Sequence, residues 1–256
     1  MASHTLSIDI YTLEVQFTHR LSPAKIPQLR GAVAEAAGWE QDLFHNHNNL
    51  EVHAPQSLEG DGDVQALTRP KAQLKTTYFS RYPKIQYRSM GGKATIFSLN
   101  EGRKAIKNWL MQAEDELEIQ GKKIPILIEN LQERKHTLSM LSQPRLYRLM
   151  DYVPFNSENY EHWQRAADLH ERIELLERIL AGNIITLAHH LDWRLPKRLE
   201  VKLMAIREMK TVRVHKTQRI AFNLIYKANI DLPPGIALGR SVAFGFGVQQ
   251  PTRTQA

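Results

Sequence analysis

The sequence predicts an α+β protein made of two ferredoxin-like (RRM-type) domains in tandem, ending in a glycine-rich loop. Three observations predict it. The apolar periodicity of the first half runs strand–helix–strand–strand–helix–strand, the order of an antiparallel sheet with both helices on one face. The second half repeats a strand–helix–strand–strand rhythm without repeating the residues. A chain of 256 residues, 42% hydrophobic and 24% charged, is globular in composition and long enough for two small domains. The division is expected near Asn130, giving an N-terminal domain of residues 1–130 and a C-terminal domain of residues 131–256.

In the first half, Leu6, Ile8, Ile10, Leu13, Val15 and Phe17 are set among polar residues as in a strand, and the missed beat between Ile10 and Leu13 reads as a bulge. After Ser22-Pro23, Ile26, Leu29, Ala32, Val33 and Ala36 recur at helical spacing, with Gly38 where a C-terminal cap belongs. Residues 39–80 are rich in Asn, His, Gly and Gln and read as a long surface excursion, most disordered in composition from Glu51 to Leu74. YPKIQYRS, Gly91-Gly92 and KATIFSLN then form a β-hairpin. Asn100 stands ready to cap a helix whose apolar stripe is Ile106, Trp109, Leu110 and Ala113. Short strands at Glu116–Ile119 and Lys123–Ile128 close this half.

The second half opens with a strand over His136–Met150, interrupted by Pro144. A long helix follows from about Ser157, with Trp163, Ala166, Leu169, Ile173, Leu176 and Leu180 in phase. Gly182-Asn183 reads as a break in it, after which Ile184, Leu187, Ala188 and Leu191 resume the period. Strands at Leu199–Ile206, Lys210–His215 and Ile220–Ile230 complete the pattern. Beyond Pro233-Pro234 lies GIALGRSVAFGFG, with glycines at 235, 239, 245 and 247. Missing side chains let backbone N–H groups approach an anion, and Arg240 adds charge, although a Gly-rich turn into an edge strand is the commoner meaning. No Gly-Lys-Ser/Thr or following helix makes it a P-loop.

Composition narrows the chemistry. The 34 Lys and Arg against 27 Asp and Glu leave a net charge of +7, which suits a polyanionic partner without demanding one. Zero cysteines exclude disulfides, thiolate nucleophiles and Cys-based metal sites. The first residues alternate and carry Asp9 and Glu14, unlike a secretory signal, and no apolar run nears the roughly 20 residues of a membrane helix. The expectation is a soluble cytoplasmic protein.

Several separated stretches together resemble one family. Arg30-Gly31-Ala32, Phe44-His45-Asn46-His47, the run from Arg81 to Gly102, ILAGNI at 179–184 and the terminal glycine loop are similar, in order and over most of the chain, to the CRISPR-associated repeat-RNA endoribonucleases (the Cas-six family), type b subgroup. The resemblance implies two ferredoxin-like domains, a prokaryotic cytoplasmic setting and binding of CRISPR repeat RNA within a precursor transcript. It further implies one cut per repeat without metal or other cofactor, leaving a 2′,3′-cyclic phosphate and a 5′-hydroxyl. Residues 48–80 are polar and match nothing in that pattern.

Such cleavage needs a base for the 2′-hydroxyl, an acid for the departing 5′-oxygen and positive charge around the phosphate. Histidine suits the first two, because its pKa near 6.5 leaves both protonation states accessible. His45 and His47 are the catalytic candidates, with His47 slightly ahead; two apart, they share a face of an extended segment. A plain polar loop and a zinc-binding pair are the rival readings of His-x-His, though only His53 lies near as a third ligand. Arg30, Arg81, Lys84, Lys93 and the loop residues Gly239, Arg240, Gly245 and Gly247 are the RNA-binding candidates, with Arg88 and the run Arg207, Lys210, Arg213, Lys216, Arg219 as further cations. Tyr82 and Tyr87 either stack on bases or pack inward. The partner is repeat RNA, with other CRISPR-associated proteins also possible, and the chain is a monomer or homodimer. The alternatives are a non-catalytic RNA-holding subunit and a metal-dependent hydrolase.

Overall fold

Alternating apolar side chains from Leu13 to Phe17 build the first strand, β1 (Ser7–Arg20), and the rest of the first module forms on it. The computed structural model describes residues 6–38, 41–45, 82–214 and 217–252. His47, Arg81, Lys216 and the excursion at 48–80 lie outside the described residues.

Helix α1 (Ile26–Ala37) and the short α2 (Asp42–His45) follow β1, then the hairpin β2 (Ile85–Met90) and β3 (Lys93–Leu99). Gly91 and Gly92 both take positive φ, 59° and 75°, as a two-residue turn with matching strand twist requires. Helix α3 (Glu101–Gln112) and a separate hairpin of β4 (Glu116–Ile119) and β5 (Lys122–Pro125) precede β6 (Ile128–Tyr152), a strand of 25 residues. The second module adds α4 (Ser157–Arg165), α5 (Leu169–His190), the long hairpin β7 (Val201–Val214) and β8 (Thr217–Asp231), and β9 (Val248–Pro251).

All but β4 and β5 join one seven-stranded sheet in the order β2-β3-β1-β6-β8-β7, with β9 also on β6. The first module orders its strands β6-β1-β3-β2 and the second β9-β6-β8-β7. Both are the 4-1-3-2 arrangement of the ferredoxin-like unit, and β6 serves both: Ile128–Ser139 pairs with β1, and Ser139–Tyr152 with β8. Pro144, which has no N–H for a ladder, falls in the irregularity between Met140 and Arg145 where the pairing with β8 shifts.

Four local expectations need correction. Ile10 to Leu13 runs in unbroken register along β6, so no bulge lies there. Ile10 faces the core shared with α4, α5 and β8, while Leu13, Val15 and Phe17 face the core under α1 and α3, and the missed beat is the changeover. Asn100 does not cap α3; its Oδ1 accepts the Tyr11 N–H at 2.9 Å and ties the helix start to β1. The long helix does not break at Gly182-Asn183 but at 166–168, where Asp168 Oδ1 accepts the Glu171 N–H (2.9 Å) and the Glu171 carboxylate accepts the Ala167 N–H (2.8 Å). Asn183 instead sends its side-chain amide to Tyr152 Oη, 2.6 Å away. The candidate strands Leu199–Ile206 and Lys210–His215 are one strand, β7, kept continuous by register shifts against β8. Among the described residues no helix is long and apolar enough to cross a membrane.

Two substitutions test the moved helix break. A Cβ on Gly182 meets nothing within 4 Å, so Gly182→Ala should raise stability by about 0.5–1 kcal/mol. Asp168→Ala should lower it by about 1 kcal/mol through loss of the cap. Urea midpoints of the two variants against the parent read both signs.

Candidate nucleic-acid interface

The glycine-rich segment leaves β8, crosses β6 and returns to it as β9, on the edge that β1 also occupies. That crossing carries residues 235–247 to the join between the modules. There a one-turn 3-10 helix at Val242–Phe244 packs on α1 and β2. The guanidinium of Arg30, on α1, lies 5.0 Å from the centre of the Phe244 ring. Burial lowers the Arg30 pKa from its usual value.

Close packing explains the glycines. Gly247, at φ 69°, donates its N–H to the Asp151 carbonyl (3.1 Å) and accepts from Leu238 N–H (2.8 Å); a Cβ there would sit 1.8 Å from the Leu238 carbonyl oxygen. Gly239 lies against Tyr152, whose ring carbon would be 2.6 Å from a Cβ. The N–H groups of Gly235 and Gly245 bond to the carbonyls of Gln249 and Val242. With Gly247 these three donors are spent inside the protein, so the glycines shape the loop rather than present those amides. Arg240 is exposed, with its backbone N–H on the Val153 carbonyl at 2.9 Å.

The other candidates are dispersed. Lys84 pairs with Glu101 at 3.0 Å and Lys93 with Glu129 at 2.5 Å. They stand at opposite ends of the β2–β3 hairpin, roughly 20 Å apart at about 3.3 Å per residue, and so do not meet one phosphate. His45 is the last residue of α2, whose Phe44 is buried in the first core next to α1. The structure therefore brings Arg30 together with the glycine loop and leaves Lys84 and Lys93 elsewhere.

Arg88, expected as an RNA-binding cation, points inward instead, and of the two readings left open for Tyr82 and Tyr87 the structure takes inward packing. Arg88 is 1% exposed, Tyr87 is 1% exposed in the first core, and the Tyr82 hydroxyl is bonded to Ala237. Desolvation pushes the Tyr87 hydroxyl pKa up and lowers that of Arg88 to about 10. Lys210 is held by Asp151 (2.6 Å) and Glu208 (3.4 Å). Asp151 was not singled out in the sequence. It sits at φ 50°, its N–H on Asn223 Oδ1 (2.8 Å) and its carbonyl on Gly247, so it joins β6, β8 and the loop. Gln249, fully buried, donates to the Leu232 and Pro233 carbonyls at 3.3 and 2.8 Å. A lone Asp in a strand and a Gln near the terminus carry no sequence signal for either role.

Beside the loop's first residues, Glu14, Gln132, Arg134, His136, Pro234, Gly235 and Gln250 line a groove across β1 and β6. Burial, and then Arg134, depress the His136 pKa below 6.5.

Comparison with known proteins gives a consistent answer. The model of the Cas6b N-terminal domain matches residues 71–137, and that of the Cas6b C-terminal domain matches residues 139–252. Neither span includes His45 or His47. A crystal structure of Cas6b superposes with a TM-score of 0.76 at 20% identity, covering 96% of this chain and 100% of the other. Another, of the CRISPR RNA processing endoribonuclease Cas6b, gives 0.66 at 18% identity with the same coverage. An uncharacterized protein of Methanocaldococcus jannaschii is 29% identical over 96 residues, which is 38% of this chain; the chain spans 64% of that relative's length.

Two measurements check this geometry. Gly247→Ala should cost about 3 kcal/mol, or about 6–12 °C in Tm, because the loop backbone must move. For His136 the unfolded chain takes up a proton near pH 6.5 that the folded chain resists. Stability should therefore fall as pH drops from 7 to 5, and His136→Gln should flatten that part of the profile in denaturant titrations.

Proposed function

Because the chain belongs to the Cas6b family, we propose that it is an endoribonuclease that processes CRISPR repeat RNA. The observation that carries the reading is the match of both Cas6b domain models along one continuous sheet, with the glycine loop seated at the join. The RNA lies along the join of modules 1–130 and 131–256. Arg240 on the loop and Arg30 beneath it supply charge there, and Arg81, which precedes the hairpin in sequence, is a further cation for the RNA. Lys84 and Lys93 exchange their exposed carboxylate partners for more distant phosphates. Gly239, Gly245 and Gly247 give the loop the shape that carries Arg240.

The chemistry is transesterification. The 2′-hydroxyl of one nucleotide attacks its own 3′-phosphorus, the P–O5′ bond breaks, and a 2′,3′-cyclic phosphate and a 5′-hydroxyl result. One of His45 and His47 takes the 2′-proton and the other delivers a proton to O5′. A positioned acid or base typically contributes about 10²–10⁴-fold. Charge gathered on the phosphate in the crowded transition state is met by the guanidinium groups. The location of α2 against α1, whose Arg30 touches the loop, supports this assignment.

Purified protein should cut its cognate repeat RNA once, equally well in EDTA, with products carrying the two stated ends. His45→Ala and His47→Ala together should lower the single-turnover rate by at least about 10³-fold and change Kd for the repeat less than about threefold. Normal cutting by the double variant would overturn the histidine assignment. Binding of the parent protein without cutting would favour a repeat-holding subunit.

A further inference from the structure

The hairpin motif that opens β2 contains three polar side chains that this chemistry does not use. Tyr82 Oη donates to the Ala237 carbonyl at 2.9 Å and accepts the Ala237 N–H at 3.3 Å. Gln86 Nε2 donates to that same Tyr82 oxygen at 2.9 Å and to the Pro83 carbonyl at 3.2 Å. Gln86 Oε1 accepts from Arg88 Nη2 at 2.5 Å, and this nitrogen also donates to the Gly235 carbonyl at 2.5 Å. The Tyr82 hydroxyl thus uses its one proton and both lone pairs. Gln86 is 0% and Arg88 1% exposed, and the guanidinium lies 4.2 Å over the Phe97 ring.

Arg88 is an expensive residue to place there. Its charge is buried, its hydrogen-bond acceptors are neutral, and its Nε and Nη1 have no hydrogen-bond partner among the described residues. An apolar side chain of similar volume would fill the space at less cost. What a hydrocarbon would not do is grip the Gly235 carbonyl, 147 residues away in sequence. The relay spans the two modules and fixes backbone groups at Gly235 and Ala237, on the entry side of the glycine loop. The rest of the loop, with Arg240, leaves from those two points.

We propose that Tyr82, Gln86 and Arg88 are positioning residues that set the glycine loop in the register in which it engages RNA. The proposal rests on the processing reading above. It differs from a general stabilising role in what it predicts: damage confined to the loop and to the reaction, well below the melting temperature.

The test uses Tyr82→Phe, which removes one hydroxyl and keeps the ring, and Arg88→Met, which keeps much of the bulk. Amide hydrogen exchange is followed without RNA, and single-turnover cleavage of repeat RNA is followed at saturation. In both variants, exchange at residues 235–248 should quicken about tenfold while β1, β3 and β8 stay protected, as loss of about one net hydrogen bond implies. The cleavage rate at saturating RNA should fall about tenfold, with Kd changed less than threefold. Should Arg88→Met not fold, Tyr82→Phe alone decides. Unchanged exchange in the loop, or exchange raised equally across the sheet, overturns the positioning role whether or not the parent cuts RNA. Faster loop exchange with unchanged cleavage also overturns it, and shows that the loop is not the element the RNA uses.

Discussion

One strand belongs to both modules, and the placement of the candidate site follows from that. The first half of β6 completes the sheet of the amino-terminal module, and its second half begins the sheet of the carboxyl-terminal one. β8 lies on one edge of β6, whereas β9 lies on the edge that β1 occupies farther along. The chain between β8 and β9 must therefore cross β6, and it arrives next to α1 and β2. A loop that belongs by sequence to the second module is thus packed against the first. Because both modules share this one sheet, their relative orientation is set by backbone hydrogen bonds and the irregularities along β6.

Two physical kinds of cation are distinct among the described residues. Lys84, Lys93, Arg103, Lys107 and Lys135 pair with the exposed or half-exposed carboxylates of Glu101, Glu129, Glu133 and Asp9. Such surface pairs contribute only about 0–1 kcal/mol each, so a phosphate can displace a carboxylate at little cost. Arg88 is the other kind. Its guanidinium is enclosed, faces an aromatic ring, the Gly235 carbonyl and the Gln86 side-chain oxygen, and has no route to a ligand in this arrangement. Reckoning the +7 charge as a single RNA-binding resource merges these kinds, although one is exchangeable and the other is structural.

Much of the fold was legible because periodicity and turn chemistry are local. The Gly91-Gly92 hairpin, the α1 stripe and the strand–helix order all follow from nearest neighbours. The failures share a cause as well. Ile10 and Leu13 break a strict alternation because β1 serves two cores on opposite faces, which no one-dimensional pattern distinguishes from a bulge. Gly182-Asn183 reads as a helix stop, yet Asn183 stays in the helix and sends its side-chain amide to Tyr152, and the glycine merely sits on an exposed face. The true boundary carried a readable signal in Asp168 and Glu171, three apart, outweighed by the apolar phase running through it. At the site, Arg30 and the glycine loop were legible as separate motifs, whereas their contact depends on the crossover at β6. Asp151, Tyr82 and Arg88 act through partners more than 70 residues away.

The glycines deserve a different meaning from the one their spacing suggests. A run of glycines invites the picture of free amides around a phosphate, but the N–H groups of Gly235, Gly245 and Gly247 are bonded to carbonyls of the same chain. Their missing side chains, with that of Gly239, instead permit the loop to lie against Leu238, the β2 backbone and the rings of Phe97 and Tyr152. A loop packed this tightly is poor at moulding itself to an anion and good at holding one residue in place. The exposed Arg240 has its backbone, not its side chain, fixed in this way, by the bond of its N–H to the Val153 carbonyl, between Gly239 against Tyr152 and a turn against α1. Preorganisation of that kind is favoured when charge must be met at a fixed point, because a donor already in position reorganises little as the reaction proceeds. The rigidity comes from buried bonds on both modules, so the loop's accuracy depends on the same shared strand that brings it to the join.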